Sequence, residues 1–225
     1  MKRQHWIILL IIALIVGGIF FYNRGIRGRD QVGEQPGPGQ VQDGDTEEPD
    51  VNGEERLSLS NYFLTEPGLR LSFSGEGYAH ADRITWVAHT NNNIVQHMEQ
   101  SAATTIAKVY DISDTEIVLI FAQEEVYDEE DYTEVGQRNR SKSILRSPIE
   151  VGNTWEDDEM TYEIEAVDEP LTVPYGTFET IRVRERNIDG ESESVNYYAV
   201  RYGLIKSIFT GENYEVIIQL ESVEE

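Results

Sequence analysis

Residues Trp6 to Tyr22, WIILLIIALIVGGIFFY, are an uncharged apolar run of 17 residues. A helix that is apolar all round has no face to turn to water, so this one is read as lying in a membrane and not on a soluble domain. It would be roughly 25 Å long at about 1.5 Å per residue, just enough to span a bilayer. Lys2 and Arg3 supply a charged start suited to either a cleaved signal or a retained anchor. Ile19, Phe20, Phe21 and Tyr22 follow Gly17 and Gly18 without an A-x-A-like site, which favours retention as a signal anchor. Trp6 and Tyr22 stand at the two ends, where aromatic rings prefer the headgroup layer. The charge rule for orientation nearly ties, because Arg24, Arg27 and Arg29 face Lys2 and Arg3 across the run. A very short N-terminal tail before a long acidic domain predicts that the C-terminal part lies outside the membrane.

The segments are therefore a tail, transmembrane anchor (6–22) and basic flank over 1–29, a linker over 30–56, and an extracytoplasmic domain over 57–225. The linker, rich in Gly, Pro, Gln, Asp and Glu (GEQPGPGQVQDGDTEEPD), has almost nothing apolar to bury and is expected to be disordered. Lys and Arg total 18 against 42 Asp and Glu in the 225 residues, a formal charge of −24. That balance excludes nucleic acid as a partner and makes contact with anionic lipid unfavourable for the domain's surface. The charge reads first as a solubility device. No cysteine is present, which excludes disulfides, thiolate metal sites, a cysteine nucleophile and a lipid-bearing cysteine. An exported chain without disulfides is consistent with a Gram-positive cell envelope.

From Leu57 onward, apolar residues alternate in short runs broken by Gly, Asn, Asp and Pro, a β pattern with no sustained helical period. Tyr214, Val216, Ile218 and Leu220 share one face, with Glu215, Gln219 and Glu221 on the other. Ile84, Trp86 and Ala88 alternate likewise, Asn91 to Asn93 suit a turn, and Ile94 to Met98 resumes, which reads as a hairpin. Ile117 to Ala122 (IVLIFA) is apolar on both faces, as in a central strand covered on each side. Further strands are predicted at Leu69–Ser74, Thr104–Ile112, Ser143–Arg146, Thr161–Val167, Phe178–Glu185, Val195–Arg201 and Leu204–Thr210. The expected fold is all-β, an antiparallel meander of about ten strands forming a curved sheet or half-barrel, since large flat sheets are uncommon.

Sites are sparse. His80, His89 and His97 do not share a hairpin position that would converge them, and they read as surface or edge histidines with no metal site. Glu124 to Glu134 (EEVYDEEDYTE) and Glu156 to Glu159 (EDDE) concentrate carboxylates that as hard donors suit a cation or an acid and base pair. Successive strand residues alternate faces and no D-x-D-x-D-G loop occurs, so solvated acidic loops are the better reading. S-F-S-G-E-G at 72–77 lacks the strand-to-helix context of a nucleophile elbow, and no other catalytic or phosphate-binding motif occurs. The aromatics Trp86, Trp155, Tyr162, Phe178, Tyr197, Tyr198, Phe209 and Tyr214 read as core, with a cupped sheet leaving some to line a cavity. No catalytic residue, metal ligand or cofactor is assigned, and the ligand-binding residues are unknown.

The stretch Pro148 to Tyr214 carries P-I-E-V-G-N-T-W, V-P-Y-G-T-F, Y-Y-A-V-R-Y-G-L-I-K-S and G-E-N-Y-E-V, with a fainter Y-F-L-T-E-P-G at 62–68. It resembles a family of uncharacterised cell-envelope lipoproteins of Gram-positive bacteria. The resemblance implies an antiparallel half-barrel like that of lipoprotein carriers, with no established activity. Gly152, Gly176 and Gly203 suit tight turns, Pro174 starts a loop, and Trp155 and Phe178 are expected core anchors. The chain departs from the family in its anchor, where relatives carry a lipidated cysteine, and in Arg201 and Tyr202, where small residues are expected before Gly203. The leading expectation is a non-enzymatic envelope module at the cell membrane, held by its N-terminal helix and binding a protein, peptide or cell-wall component. Alternatives are a carrier or sensor of a small apolar ligand in a cupped sheet, and a carboxylate-dependent hydrolase.

Overall fold

The computed structural model describes residues 57–134, 138–157 and 159–225. The anchor at 6–22, its basic flank and the linker at 30–56 lie outside them. Alternation from Leu57 onward is realised as strands β1 (Arg70–Glu76), β2 (Arg83–Asn91), β3 (Ile94–Ser101), β4 (Thr105–Ile112), β5 (Glu116–Gln123), β6 (Lys142–Arg146), β7 (Thr154–Glu156), β8 (Met160–Val173), β9 (Gly176–Asn187), β10 (Glu193–Ala199), β11 (Gly203–Thr210) and β12 (Glu215–Glu224). They form one antiparallel sheet in the order β6-β5-β4-β3-β2-β1-β12-β11-β10-β9-β8-β7. Pairing of β1 with β12 joins the two ends of the meander. The sheet curls into a nearly closed barrel whose two edges are β6 and β7, neighbours in sequence. Among the described residues, no helix is long and apolar enough to cross a membrane.

The expected half-barrel of about ten strands is thus corrected to twelve strands and near closure. Two local features hid the difference. Strand β7 has three residues, too few to show a period. Strand β8 continues past Val167 because shifts of register between Ile164 and Ala166 and between Ala166 and Glu169 absorb the polar stretch there, with Asp168 at φ 55°. Such bulges bend a strand. The bent β8–β9 hairpin brings Val173 into the cluster of Leu71, Phe73 and Leu220, and Tyr175 N–H donates to the Leu220 carbonyl at 3.1 Å. The hairpin expected at Asn91–Asn93 is present, with Asn91 paired to Ile94 and Asn92 at φ 53°. Strand β5 is covered on both faces as expected, yet it lies next to the edge; its outer cover is a loop, with Phe121 stacked on Tyr132 at 5.2 Å.

The barrel is filled. Leu59, Tyr62 and Phe63 pack with Ile117, Leu145, Trp155, Ile164 and Ile181. A second cluster, around Leu71, Val95 and Ile205, adjoins the first through Ile112. The first residues of the domain, a 3₁₀ turn at Leu59–Tyr62, therefore plug one end of the barrel. Arg201 N–H donates to the Asn61 carbonyl at 2.7 Å, and Gly203, at φ 70°, would place a Cβ 3.1 Å from Leu64 N. Arg201 itself takes φ 75°, so the turn does differ from one built of small residues. Trp155 is a core anchor as expected, stacked on Tyr162 at 5.2 Å; Phe178 is only half-buried, against Tyr202 at the hairpin tip.

The other end of the barrel carries a polar layer. Inward positions of β2, β3 and β4 place Arg83 Nη1 3.5 Å and Lys108 Nζ 3.0 Å from one oxygen of Glu99. Across the barrel, Lys142 of β6 pairs with Glu185 of β9, Asn196 Nδ2 donates to Glu185 at 3.2 Å, and Ser207 Oγ donates to Asn196 at 2.7 Å. Burial raises the Glu99 carboxyl, but Arg83 and Lys108 together outweigh it and hold the group below the usual carboxylate range. His97, expected at the surface, is instead buried between Phe63 and Tyr110. Its ring fills the interior where an apolar residue would be expected, because Nε2 donates to the Leu64 carbonyl at 2.6 Å.

Burial drives the His97 pKa down from 6.5 to about 4, against the Leu64 hydrogen bond. The folded chain then keeps the ring neutral while the unfolded chain protonates it, so stability is full above pH 6.5 and falls as pH drops from 6.5 towards 4. The expected loss over that window is about 3 kcal/mol. Urea denaturation across the window should show this slope, and His97→Phe should remove most of it; an unchanged slope in the variant would contradict the assignment.

Candidate functional site at the seam

Where β6 and β7 meet, side chains replace the backbone ladder. Trp155 Nε1 donates to the Ser143 carbonyl at 3.3 Å, and Asn153 Nδ2 donates to the carbonyls of Arg146 at 3.1 Å and Pro148 at 2.8 Å. Outside this junction lies a cleft of about 500 Å³. Its walls come from the end of β4 (Asp111), from β5 (Glu116, Val118), from β6 (Ser143, Arg146) and from the end of β7 (Glu156, Asp157), with Arg138 and Ser141 contributed by the β5–β6 connection. The register shift between Ile117 and Val118 sets this arrangement, pairing Leu145 with Ile117 in the core and Ser143 with Val118 outside.

The cleft is polar and its charges are partly matched. Arg138 Nη2 lies 2.9 Å from Asp111, and Arg146 Nη2 lies 2.8 Å from Glu116. Asp157 is fixed by hydrogen bonds: the Tyr162 hydroxyl donates to it at 2.7 Å, and the backbone N–H groups of Met160 and Glu159 donate at 2.9 and 3.1 Å. Burial first, then the charge of Glu185, raises the Tyr162 pKa, so the hydroxyl remains a donor. Among the described residues, no ion pair reaches Glu156 or Asp157. Ser143 is 6 % exposed, and its Oγ has no hydrogen-bond partner.

Of the residues singled out in the sequence, Glu156 and its neighbour Asp157 reach this cleft. The second acidic run does not. Glu124 to Glu134 folds across the outer face of β2 to β4, with Val126 buried against Met98 and Ala107. Its carboxylates are exposed, as expected of a solvated acidic loop, while Val126 docks the segment as a strap. Gln96, fully buried, donates from Nε2 to the Glu130 carbonyl at 2.7 Å and accepts from Tyr132 N–H at 2.7 Å. Trp86 Nε1 donates to Glu129 at 3.0 Å, and the His89 ring lies 3.1 Å from the Glu129 carbonyl. The three histidines are thus apart: His80 exposed beside Tyr78, His89 under the strap, His97 in the core. Among the described residues, no group of three or more His, Cys, Asp or Glu is placed to hold a metal ion.

Of the aromatics expected in the core, Trp155, Tyr162 and Tyr198 are buried there. Trp86 lies on the outer face with the Arg70 guanidinium over its ring at 4.2 Å, and Tyr214 is exposed beside Phe209. Residues 72–77 are strand β1 and the turn after it, with Phe73 buried and Gly77 at φ 83°. Asp111, Glu116, Ser143 and Arg146 carry no signal in the sequence, because single polar residues on outward strand positions look like any solvated face.

No family model matches the chain, and no curated protein matches it in sequence. Two solved structures are partly similar. One is a Bacteroides fragilis protein described as exported and as having a YmcC-like fold, at 13% identity and TM-score 0.49, covering 72% of this chain and 98% of that one. The other is a Parabacteroides distasonis protein described as a lipoprotein, at 13% identity and TM-score 0.40, with the same coverage. Neither is specific to a Gram-positive envelope.

Replacing Gln96 by Leu would leave the Glu130 carbonyl and the Tyr132 N–H without their buried partner, a cost of about 1–3 kcal/mol for such groups. The strap is held locally, so Gln96→Leu is expected to speed limited proteolysis within 124–134 by tenfold or more while the barrel stays folded. Cleavage at the wild-type rate would show that Val126 and Trp86 hold the strap without Gln96.

Proposed function

We propose that this chain is a membrane-anchored, extracytoplasmic binding module without enzymatic activity, and that the seam cleft is where it meets its partner in the cell envelope. The observation carrying this reading is a contrast in packing. The barrel interior is occupied by side chains from both sheet halves and by the N-terminal plug, whereas the cleft of about 500 Å³ stands outside it with polar walls from four strands. A carrier of apolar molecules needs a dry cavity, and this packed interior speaks against one. Three of the four cleft carboxylates are tied, Asp111 and Glu116 to guanidiniums and Asp157 to a tyrosine hydroxyl and backbone N–H groups, which suits recognition better than proton transfer. The apolar run at 6–22 and the polar linker sequence at 30–56 supply the tether in this reading, and the partner is a protein, peptide or cell-wall component.

Two measurements test it. Full-length protein should fractionate with membranes, and recovery from the medium of a mature form beginning near residue 23 would remove the anchor. The chain has no cysteine, so a photo-crosslinker can be placed at Ser141→Cys on the cleft wall or at Glu163→Cys on β8, which faces outward in the Arg186 pair. Envelope adducts are expected from the first position and not the second. Equal labelling from both would sink the cleft as the binding surface.

A further inference from the structure

We infer that the seam cleft binds a cationic side chain, the ammonium or guanidinium of a basic peptide segment. This rests on the reading of the cleft as the binding surface and names the chemistry of its ligand. Four carboxylates line the cleft, Asp111, Glu116, Glu156 and Asp157, against two guanidiniums. Both guanidiniums are already committed, Arg138 to Asp111 and Arg146 to Glu116. Glu156 and Asp157, adjacent in sequence at the end of β7, are left as the two carboxylates without a cation among the described residues. Because β7 ends there, they are not forced onto opposite faces as successive strand residues would be.

The second observation is independent of charge. Ser143, on the cleft wall from β6, is more than nine-tenths buried and its Oγ has no partner. A buried hydroxyl without a hydrogen bond is costly; the Ser143 oxygen is closed to solvent, so an N–H donor entering the cleft satisfies it through a small movement of the wall around it. An ammonium carries three donors and no acceptor, which matches a wall offering two carboxylates and a hydroxyl oxygen. An anionic ligand would meet the same carboxylates, with both lining guanidiniums among the described residues already paired. The volume of about 500 Å³ falls within the range of specific small-ligand sites and admits a side chain with its flanking backbone. The acidic surface of the whole molecule would add long-range attraction for such a segment and raise its association rate.

That same acidic surface requires a control for diffuse attraction. Binding of a short blocked peptide carrying two lysines is measured by calorimetry on the full chain in detergent, against the same peptide with both lysines Nε-acetylated. The double variant Ser143→Ala, Glu156→Gln alters the cleft without touching the core. Glu124→Gln on the strap removes the same charge elsewhere. The expected result is binding of the lysine peptide, a tenfold or greater loss in the cleft variant, little change in the strap variant and no binding of the acetylated peptide. Equal weakening by both variants would overturn the inference, since the attraction would then be diffuse. Binding of the acetylated peptide with the same cleft dependence would also overturn it, while leaving the cleft as the binding surface. Absence of binding by either peptide would overturn the cationic assignment, and the crosslinking from Ser141→Cys would still decide the cleft itself.

Discussion

A sheet of twelve antiparallel strands that curls on itself must bring its two edge strands together, and the rest of this structure depends on how β6 and β7 meet. Backbone ladders close a barrel by removing edges altogether. Here the junction is made by Trp155 and Asn153, while the Lys142–Glu185 pair links β6 to β9 inside the barrel. Strand β7 has only three residues, too few for a long ladder, so the indole and the amide reach across and occupy carbonyls of β6 that would otherwise be open to pairing with another chain. The indole also stacks on Tyr162 in the core, which couples closure of the sheet to packing of the interior.

Closure in turn fixes what lies on either side of the seam. Inside, the two ends of the barrel are treated differently: the N-terminal turn plugs one with Leu59, Tyr62 and Phe63, and the other holds the layer of Arg83, Glu99, Lys108, Lys142 and Glu185. Buried ion pairs of this kind add little net stability, because desolvation offsets much of the attraction. Their effect is to make wrong registers costly, since slipping β3 by one residue would leave Glu99 outside and Arg83 and Lys108 buried without it. Outside, the seam leaves a cleft where a β strand end, a hairpin and the β5–β6 connection all contribute polar groups.

Charge is distributed with similar economy. On the outer face of β8 to β10, Arg182, Arg184 and Arg186 alternate with Glu163, Glu165, Glu169 and Glu193 in cross-strand pairs. The Arg184 hydrogen bonds lead the effects that hold Glu165 below the usual carboxylate range, with burial opposing them. Exposed pairs of this sort are worth about 1 kcal/mol or less each, so their role is more to organise a very acidic surface than to hold the fold. The strap at 124–134 follows the same logic, with its backbone and Val126 docked and most of its carboxylates left in water.

The amino-acid sequence by itself determined the all-β class, most of the strand positions and the Asn92–Asn93 turn, because alternation and left-handed turn residues are local properties that each segment carries alone. It also marked Glu156 within the EDDE run. Tertiary structure decided the rest: that β8 bends through Asp168 and Glu169 instead of ending, that a three-residue β7 finishes the sheet, that His97 is core, and that Asp111, Glu116, Ser143 and Arg146 share one cleft. Those outcomes depend on curvature and register shifts, which bring together residues up to 46 positions apart in sequence, from Asp111 to Asp157. A period of two specifies which face a residue takes, and it carries no information about which distant strand that face will meet.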